Sequence, residues 1–206
     1  MRRMRGRAPA SGTRRVAAFA IDYAAIAAYI GLLTGLSIAV RAALHQRLAL
    51  PRTDAAKIEG HAVAFLTLTV PVALYFALSE ASCSRATPGK RALGLRVTTM
   101  DGGRVPLGRS LLRSAVKFAP WEVAHTAIWH TPGQPFISPP AARNVAGYAL
   151  ALGGATWYAG ALFVGARRTP YDRIAGTTVV SDAVVGPAAT AVVEGGVVAI
   201  VVIEPG

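Results

Sequence analysis

A chain of 206 residues, 53% of them hydrophobic and with a mean hydropathy of +0.42, fits one small helical membrane domain better than two soluble ones. Its formal charge of +12 is not the footprint of a nucleic-acid binder: the basic residues do not alternate with stacking aromatics and gather at the ends of apolar runs, where anionic lipid headgroups and topology account for them. The single cysteine, Cys83, excludes an intrachain disulfide and has no neighbouring ligand, so neither a metal nor another cofactor is expected.

Residues 1–12 form a basic leader. From Val16 to Val40 the chain runs 25 residues with one ionisable side chain, Asp22; at about 1.5 Å per residue that crosses a hydrocarbon core of about 30 Å. The run is too long for the apolar region of a signal peptide, so it reads as an uncleaved first span. An aspartate near the bilayer centre costs roughly 2.5–3.5 kcal/mol, so Asp22 is expected to face protein or water. Arg15, two turns earlier on the same face, is expected at the membrane surface, pointing toward it. The pair has two readings, a functional intramembrane charge or a device that fixes helix depth and rotation. Residues 41–60 read as a polar loop, helical at most in its first half. His61 to Ser79 is a second span that Pro71 should kink, leaving a freed carbonyl for Thr67 or a neighbouring helix to satisfy.

Arg85 to Arg109 carries six Lys and Arg against one Asp and reads as a basic loop at the membrane surface. Within it, Leu95–Thr99 and Arg104–Pro106 are predicted to pair as a hairpin through Asp101-Gly102-Gly103. Gly89-Lys90 is not a phosphate loop, because Ser84 stands where a glycine is needed and Arg91 where a hydroxyl is needed. Ser110 to His130 begins as an amphipathic helix with Arg113 and Lys117 on one face; Pro120 then breaks or bends it. It fits an interfacial helix, a tilted span, or one followed by the other. Glu122 and His125 form a second polar pair three residues apart. Such spacing occurs in bundle metal sites, but only Asp22 and Glu80 are candidates to complete a shell, so helix packing is the preferred role.

Asn144 to Ala166 is an uncharged span of 23 residues. Gly147, Ala151, Ala155 and Ala159 recur every four residues along it, and Ala27, Gly31 and Gly35 form a matching ridge on the first span. These spacings suit close helix packing and also arise by chance in an alanine-rich sequence. Beyond it, Thr177–Ser181 and Val197–Ile203 read as strands available to pair with the hairpin near residue 100. The expected fold is an all-α membrane protein of about four transmembrane helices, with a small cytoplasmic β-hairpin and a strand-like tail over 182–206. Six Lys and Arg precede Val16, six lie in Arg85–Arg109 and three follow Ala166, against four in the first loop and one in the proline-rich loop. Both termini and the basic loop are therefore expected in the cytoplasm, which requires Ser110–His130 to cross the membrane.

Three segments in order, Arg15-Val-Ala-Ala-Phe-Ala-Ile-Asp22, Thr87-Pro-Gly-Lys-Arg-Ala-Leu-Gly-Leu-Arg-Val97 and Asp172-Arg-Ile-Ala-Gly-Thr177, resemble the RDD family of bacterial membrane proteins. The resemblance covers about residues 13–181, and the family's arginine and two aspartates fall on Arg15, Asp22 and Asp172. It implies an integral protein of the cytoplasmic membrane and transport of an unidentified ligand, with cation or proton exchange in some members. On that footing Arg15, Asp22, Lys90, Arg91 and Asp172 are expected to cluster at the cytoplasmic helix ends, with Asp22 deepest. One expectation is a small carrier exchanging a proton or cation at Asp22, working as a homo-oligomer because four spans enclose little space. The other is a non-transporting module whose cluster staples the helices and whose basic loop docks a partner or anionic lipid headgroups. Enzymatic activity is not expected, since Glu122 and His125 lack a nucleophile or a complete metal shell.

Overall fold

The computed structural model describes residues 8–46, 51–181, 190–194 and 197–201. Helix α1 spans Gly12–Ala43 and is started by Ser11, whose hydroxyl accepts the Arg14 N–H. Thr53 does the same for α2 (Asp54–Ala64), which continues through a π-helical segment, Phe65–Thr69, into α3 (Val70–Ala81). Then come α4 (Pro88–Ala92), β1 (Leu95–Thr99), α5 (Leu107–Trp129), α6 (Ala142–Gly160), α7 (Pro170–Ile174) and β2 (Thr177–Ser181). In the tail, β3 (Thr190–Glu194) pairs antiparallel with β4 (Val197–Val201).

Among the described residues, two helices are long and apolar enough to cross a membrane, α1 with 32 residues and the continuous Asp54–Ala81 helix with 28. Their outward faces are apolar: Leu32, Leu36, Leu66 and Leu78 are exposed, as are Leu150, Leu152 and Trp157 of α6. A water-soluble bundle would bury such residues. The start of α1, the end of α3, the start of α5 and the end of α6 meet at one end, where Gly12 abuts Leu162 and Ser110 Oγ donates to the Ala77 carbonyl at 2.8 Å. At the other end Gly60 abuts Trp129, and Asn144 Nδ2 donates to the Ala127 carbonyl at 2.8 Å. The small apolar core of Ala10, Ala18, Leu95, Val97, Val105 and Val179 lies at the first end, between α1 and the sheet.

Several local expectations are corrected. In the 41–60 segment the second half is helical, because Thr53 caps α2 and Asp54 sits favourably in its first turn. Residues 47–50 lie outside the described residues. Pro71 falls in the first turn of α3, directly after the π segment. The Thr67 carbonyl, whose α-helical donor would be the N–H that Pro71 lacks, accepts the Tyr29 hydroxyl of α1 at 2.6 Å. Pro120 does not break α5, which runs on to Trp129. The span expected over Asn144–Ala166 is α6, which begins at Ala142 and ends at Gly160.

The predicted hairpin is also corrected. Its turn forms, with Gly102 N–H donating to the Thr99 carbonyl at 2.9 Å. However, Arg104–Pro106 is not a strand; Pro106 has no N–H to give a ladder and instead starts α5. The partner of β1 is β2, antiparallel from Leu95↔Ser181 to Thr99↔Thr177, so the expected pairing of Thr177–Ser181 with the segment near residue 100 holds. The far edge of β2 takes the end of the leader, Ala10 N–H donating to the Val179 carbonyl at 2.9 Å. In the tail, β4 pairs with β3 and not with β1; residues 1–7 and 202–203 lie outside the described residues.

Of the small-residue ridge on α6, Gly147 and Ala151 are packed while Ala155 and Ala159 are exposed, and the ridge on α1 makes no close contact at its glycines. A Cβ on Gly147 would meet Ala127 Cβ at 2.9 Å, and one on Gly154 would meet Pro120 Cγ at 3.2 Å, so α6 approaches α5 closely there. At Gly31 and Gly35 of α1 nothing lies within 4 Å.

The chain is built from two corresponding halves, α1 to β1 and α5 to β2. Thr87-Pro88-Gly89-Lys90-Arg91 through Gly94 to Val97 has its counterpart in Thr169-Pro170-Tyr171-Asp172-Arg173 through Gly176 to Val179. Each Thr starts a five-residue helix with Pro in its first turn, and Gly94 (φ +59°) and Gly176 (φ +63°) supply the left-handed turn into the strand. Val97 and Val179, equivalent in sequence, are also paired at the centre of the β1–β2 register, which places a pseudo-twofold axis between them. Ser11 and Pro106 likewise precede α1 and α5 at equivalent positions, and their neighbours Ala10 and Val105 are both buried.

Candidate functional site

A chain of buried ion pairs joins the helix ends beside the sheet. Lys90 Nζ lies 2.9 Å from Glu80 Oε1, and Glu80 Oε2 accepts Arg113 Nη1. The same guanidinium donates Nε and Nη2 to Asp172 Oδ1 at 2.9 and 2.8 Å. Arg15 Nη2 reaches Asp172 Oδ2 at 2.7 Å, and Arg15 Nη1 donates to the Arg167 carbonyl at 2.5 Å. Glu80 and Asp172 are 0% exposed and Arg113 is 2%. Each charge is therefore withdrawn from solvent and matched by an opposite one, the condition under which buried ions are tolerated.

Local sequence positions each member. Thr169-Pro170-Tyr171-Asp172 is a capping box: the Thr169 N–H donates to Asp172 Oδ2 at 3.2 Å and its hydroxyl does so at 2.7 Å, which orients the carboxylate before either arginine arrives. Burial alone would raise the Asp172 pKa, but Arg113, Arg15 and the Thr169 hydroxyl outweigh it and hold the carboxyl well below the ordinary carboxylate range. Arg113 also lies 5.0 Å from the Tyr171 ring centroid, an arginine–aromatic contact that fixes its plane.

Asp22 makes no ion pair with this chain and meets it through Thr87, whose hydroxyl lies 3.5 Å from Lys90 Nζ; it is 1% exposed. Its Oδ1 accepts the Tyr75 hydroxyl at 2.8 Å and the Gly89 N–H at 2.8 Å, while Oδ2 accepts the Thr87 hydroxyl at 2.5 Å. It thereby seats α4 on α1, and the approach is so close that a Cβ on Gly89 would lie 2.2 Å from the Ala18 carbonyl oxygen.

The structure brings Arg15 and Asp172 together as expected and places Lys90 in the same network through Glu80. It does not direct Arg15 at Asp22: the guanidinium is drawn to the α7 carboxylate, and the Asp22 oxygens are taken by α4 and Tyr75. Arg91 is exposed on the outer side of α4 and is not part of the network. The second polar pair also separates. Glu122 binds His61 Nε2 at 2.8 Å and the Thr69 hydroxyl at 2.9 Å, whereas His125 packs on Trp121 with its Nδ1 3.2 Å from the Trp121 carbonyl. No group of metal-binding side chains occurs among the described residues. Arg113 and Glu80 were not assigned to the cluster from sequence; the signal was their placement at facing ends of two apolar helices, where an unpaired charge is not tolerated.

No curated protein and no solved structure matches the chain. The sequence pattern that defines the RDD family matches residues 9–176, from the strand-like end of the leader to the glycine that precedes β2, and the chain belongs to that family.

Proposed function

We propose that the chain is a multi-pass protein of the cytoplasmic membrane in which Arg15, Asp22 and Asp172 are structural, and in which the basic face around the sheet docks on anionic lipid headgroups. In this reading α5 and α6, about 34 and 28 Å long at 1.5 Å per residue, span beside α1 and the Asp54–Ala81 helix. Along α5, Arg113 is paired with Glu80 and Asp172, Glu122 is hydrogen-bonded to His61 and the Thr69 hydroxyl, and Lys117 is turned inward over the Phe76 ring, so none of the three faces lipid unsupported. Arg14, Arg85, Arg91, Arg104, Arg109, Arg167 and Arg173 lie near the sheet end, which supports a cytoplasmic position for it.

The observation that carries the structural reading is the state of Asp22. A carboxylate that exchanges ions needs an access path, whereas Asp22 is 1% exposed and three of its roughly four lone-pair sites are taken by donors from α3, the Thr87 cap and α4. Replacing it leaves α4 without its seat. Asp22→Asn in proteoliposomes is expected to lower the unfolding midpoint in detergent while proton and sodium flux stay at the level of protein-free vesicles for both proteins. A wild-type flux that disappears in a variant of unchanged stability would overturn the proposal in favour of exchange at Asp22.

A further inference from the structure

Between α1, α5 and α6 lies a cavity of about 650 Å³, the size of a small-molecule site. Phe19, Tyr23 and Ile26 of α1 and Ala155 and Tyr158 of α6 line it, with the exposed Leu152 at its open outer rim. Its floor is cationic: Arg15, Lys90, Arg113 and Lys117 all border it. Three of these are matched by carboxylates, as described above. Lys117 is the exception, since no carboxylate of the described residues pairs with it; its ammonium lies 3.1 Å from the Phe76 ring centroid and 5.1 and 5.3 Å from those of Phe19 and Phe118. The four cations stand against three carboxylates, Asp22, Glu80 and Asp172. With all seven groups ionised, this floor is one negative charge short.

The comparison of the two halves explains the chamber. Lys117 is the counterpart of Asp22, each lying eleven residues beyond the residue that starts its helix. In the first half Gly89 lets α4 close onto Ala18. In the second, Tyr171 and Arg113 occupy the corresponding places, and both border the cavity instead of filling it. From the apolar walls, the lateral position beside lipid and the uncompensated ammonium, we infer that this cavity binds a single-chain amphiphile with a compact anionic head, a long-chain carboxylate, its head at Lys117 and its chain between α1 and α6. Lys117 is ten residues, about 15 Å, into α5, below the level at which a phospholipid headgroup rests on the surface, so a detached acyl anion fits better than a bulk membrane lipid.

The inference rests on the bundle being embedded in the membrane, and resistance to carbonate extraction checks that separately. Trp121 borders the cavity and reports on it, while Trp157 is exposed on the outer face. Protein in nanodiscs of zwitterionic lipid is titrated with brominated stearic acid and, in parallel, with its methyl ester, following quenching of tryptophan fluorescence; a Trp121→Phe control removes the reporter. The acid is expected to quench saturably and the ester at least about 10-fold more weakly, corresponding to about 1.4 kcal/mol. Lys117→Leu should bind acid and ester alike, Lys117→Arg should retain the preference, and Ala155→Trp, which fills the chamber with the charge kept, should bind neither. Equal binding of acid and ester by the wild type, unchanged acid binding by Lys117→Leu, or quenching by brominated phosphatidylglycerol with none by the acid would each overturn the inference.

Discussion

Arg113 is the residue on which the buried network should depend most. Arg113→Met keeps a side chain of similar length and removes three charge-assisted hydrogen bonds, two to Asp172 and one to Glu80. The remaining partners are uneven. Asp172 Oδ2 keeps Arg15 and Thr169, but Oδ1 is left with the Thr177 hydroxyl at 3.5 Å; Glu80 keeps Lys90 on one oxygen and nothing comparable on the other. Counting each lost bond at about 1.5–3 kcal/mol would overshoot, because the three share one guanidinium and do not add. Breaking a buried pair costs about 3–5 kcal/mol, most of it from the stranded carboxylates, and that is the expected destabilisation. The double variant Arg113→Met/Glu80→Met removes one stranded carboxylate and should lose less than the sum of the single variants. Exposed Arg91→Met should change stability by no more than about 0.5 kcal/mol. Denaturant unfolding in mixed micelles, followed by tryptophan fluorescence, measures the wild type and the four variants, Glu80→Met included. A loss below about 1 kcal/mol for Arg113→Met, or strict additivity in the double variant, would refute the claim that the network is a load shared through Arg113.

Two further outcomes follow from the same geometry. Gly89→Ala puts a methyl group 2.2 Å from the Ala18 carbonyl oxygen and should displace α4 and cost at least about 2 kcal/mol, whereas Gly31→Ala, with nothing within 4 Å, should be neutral or slightly stabilising; equal melting temperatures in detergent would contradict this. Because the folded-state pKa of Asp172 is depressed, its stabilising contribution is present above the unfolded carboxylate pKa of about 3.9 and is lost only as the pH falls below that value. The stability difference between wild type and Asp172→Asn should therefore be flat from about pH 5 to 8 and shrink under stronger acid; a difference that already changes between pH 5 and 7 would place the controlling titration elsewhere.

The apolar runs and the strand at Thr177–Ser181 were legible because each depends on local chemistry: hydrophobic length, and β-branched residues bounded by glycine. Partners across the fold were legible only in part. Leu95–Thr99 has Arg104–Pro106 as a mate across a turn motif and Thr177–Ser181 or Val197–Ile203 as further strands for the hairpin; Thr177–Ser181 does pair with it, while only the three-dimensional path shows that Pro106 is needed to begin α5. Arg15 and Asp22 share a helical face at heptad spacing, yet a helix face states which residues point together and not what packs against them. Lys90 was legible as a member of the cluster but its partner was not, since Glu80 sits on the preceding helix and no periodicity connects them. The repeat of Thr-Pro and glycine around β1 and β2 was present in the sequence and went unread because the positions between them differ in size and charge.

Those differences carry the consequence. A perfect twofold would place like charges opposite each other about the axis, which a buried network cannot hold. Here the signs are exchanged: Asp22 and Lys90 in the first half correspond to Lys117 and Asp172 in the second. The Asp172 carboxylate therefore faces two arginines, Arg15 from one half and Arg113 from the other, and locks the halves together across the pseudo-axis. The exchange cannot repeat the Asp22 contact, because a lysine cannot accept the hydroxyl and N–H donors that an aspartate takes from the following turn. So the first half closes on its own short helix, and the second, with Tyr171 in place of glycine and Arg113 in place of Ala18, stays open around an ammonium with no carboxylate of its own. The arrangement that stabilises one side of the bundle is the one that leaves a binding chamber on the other.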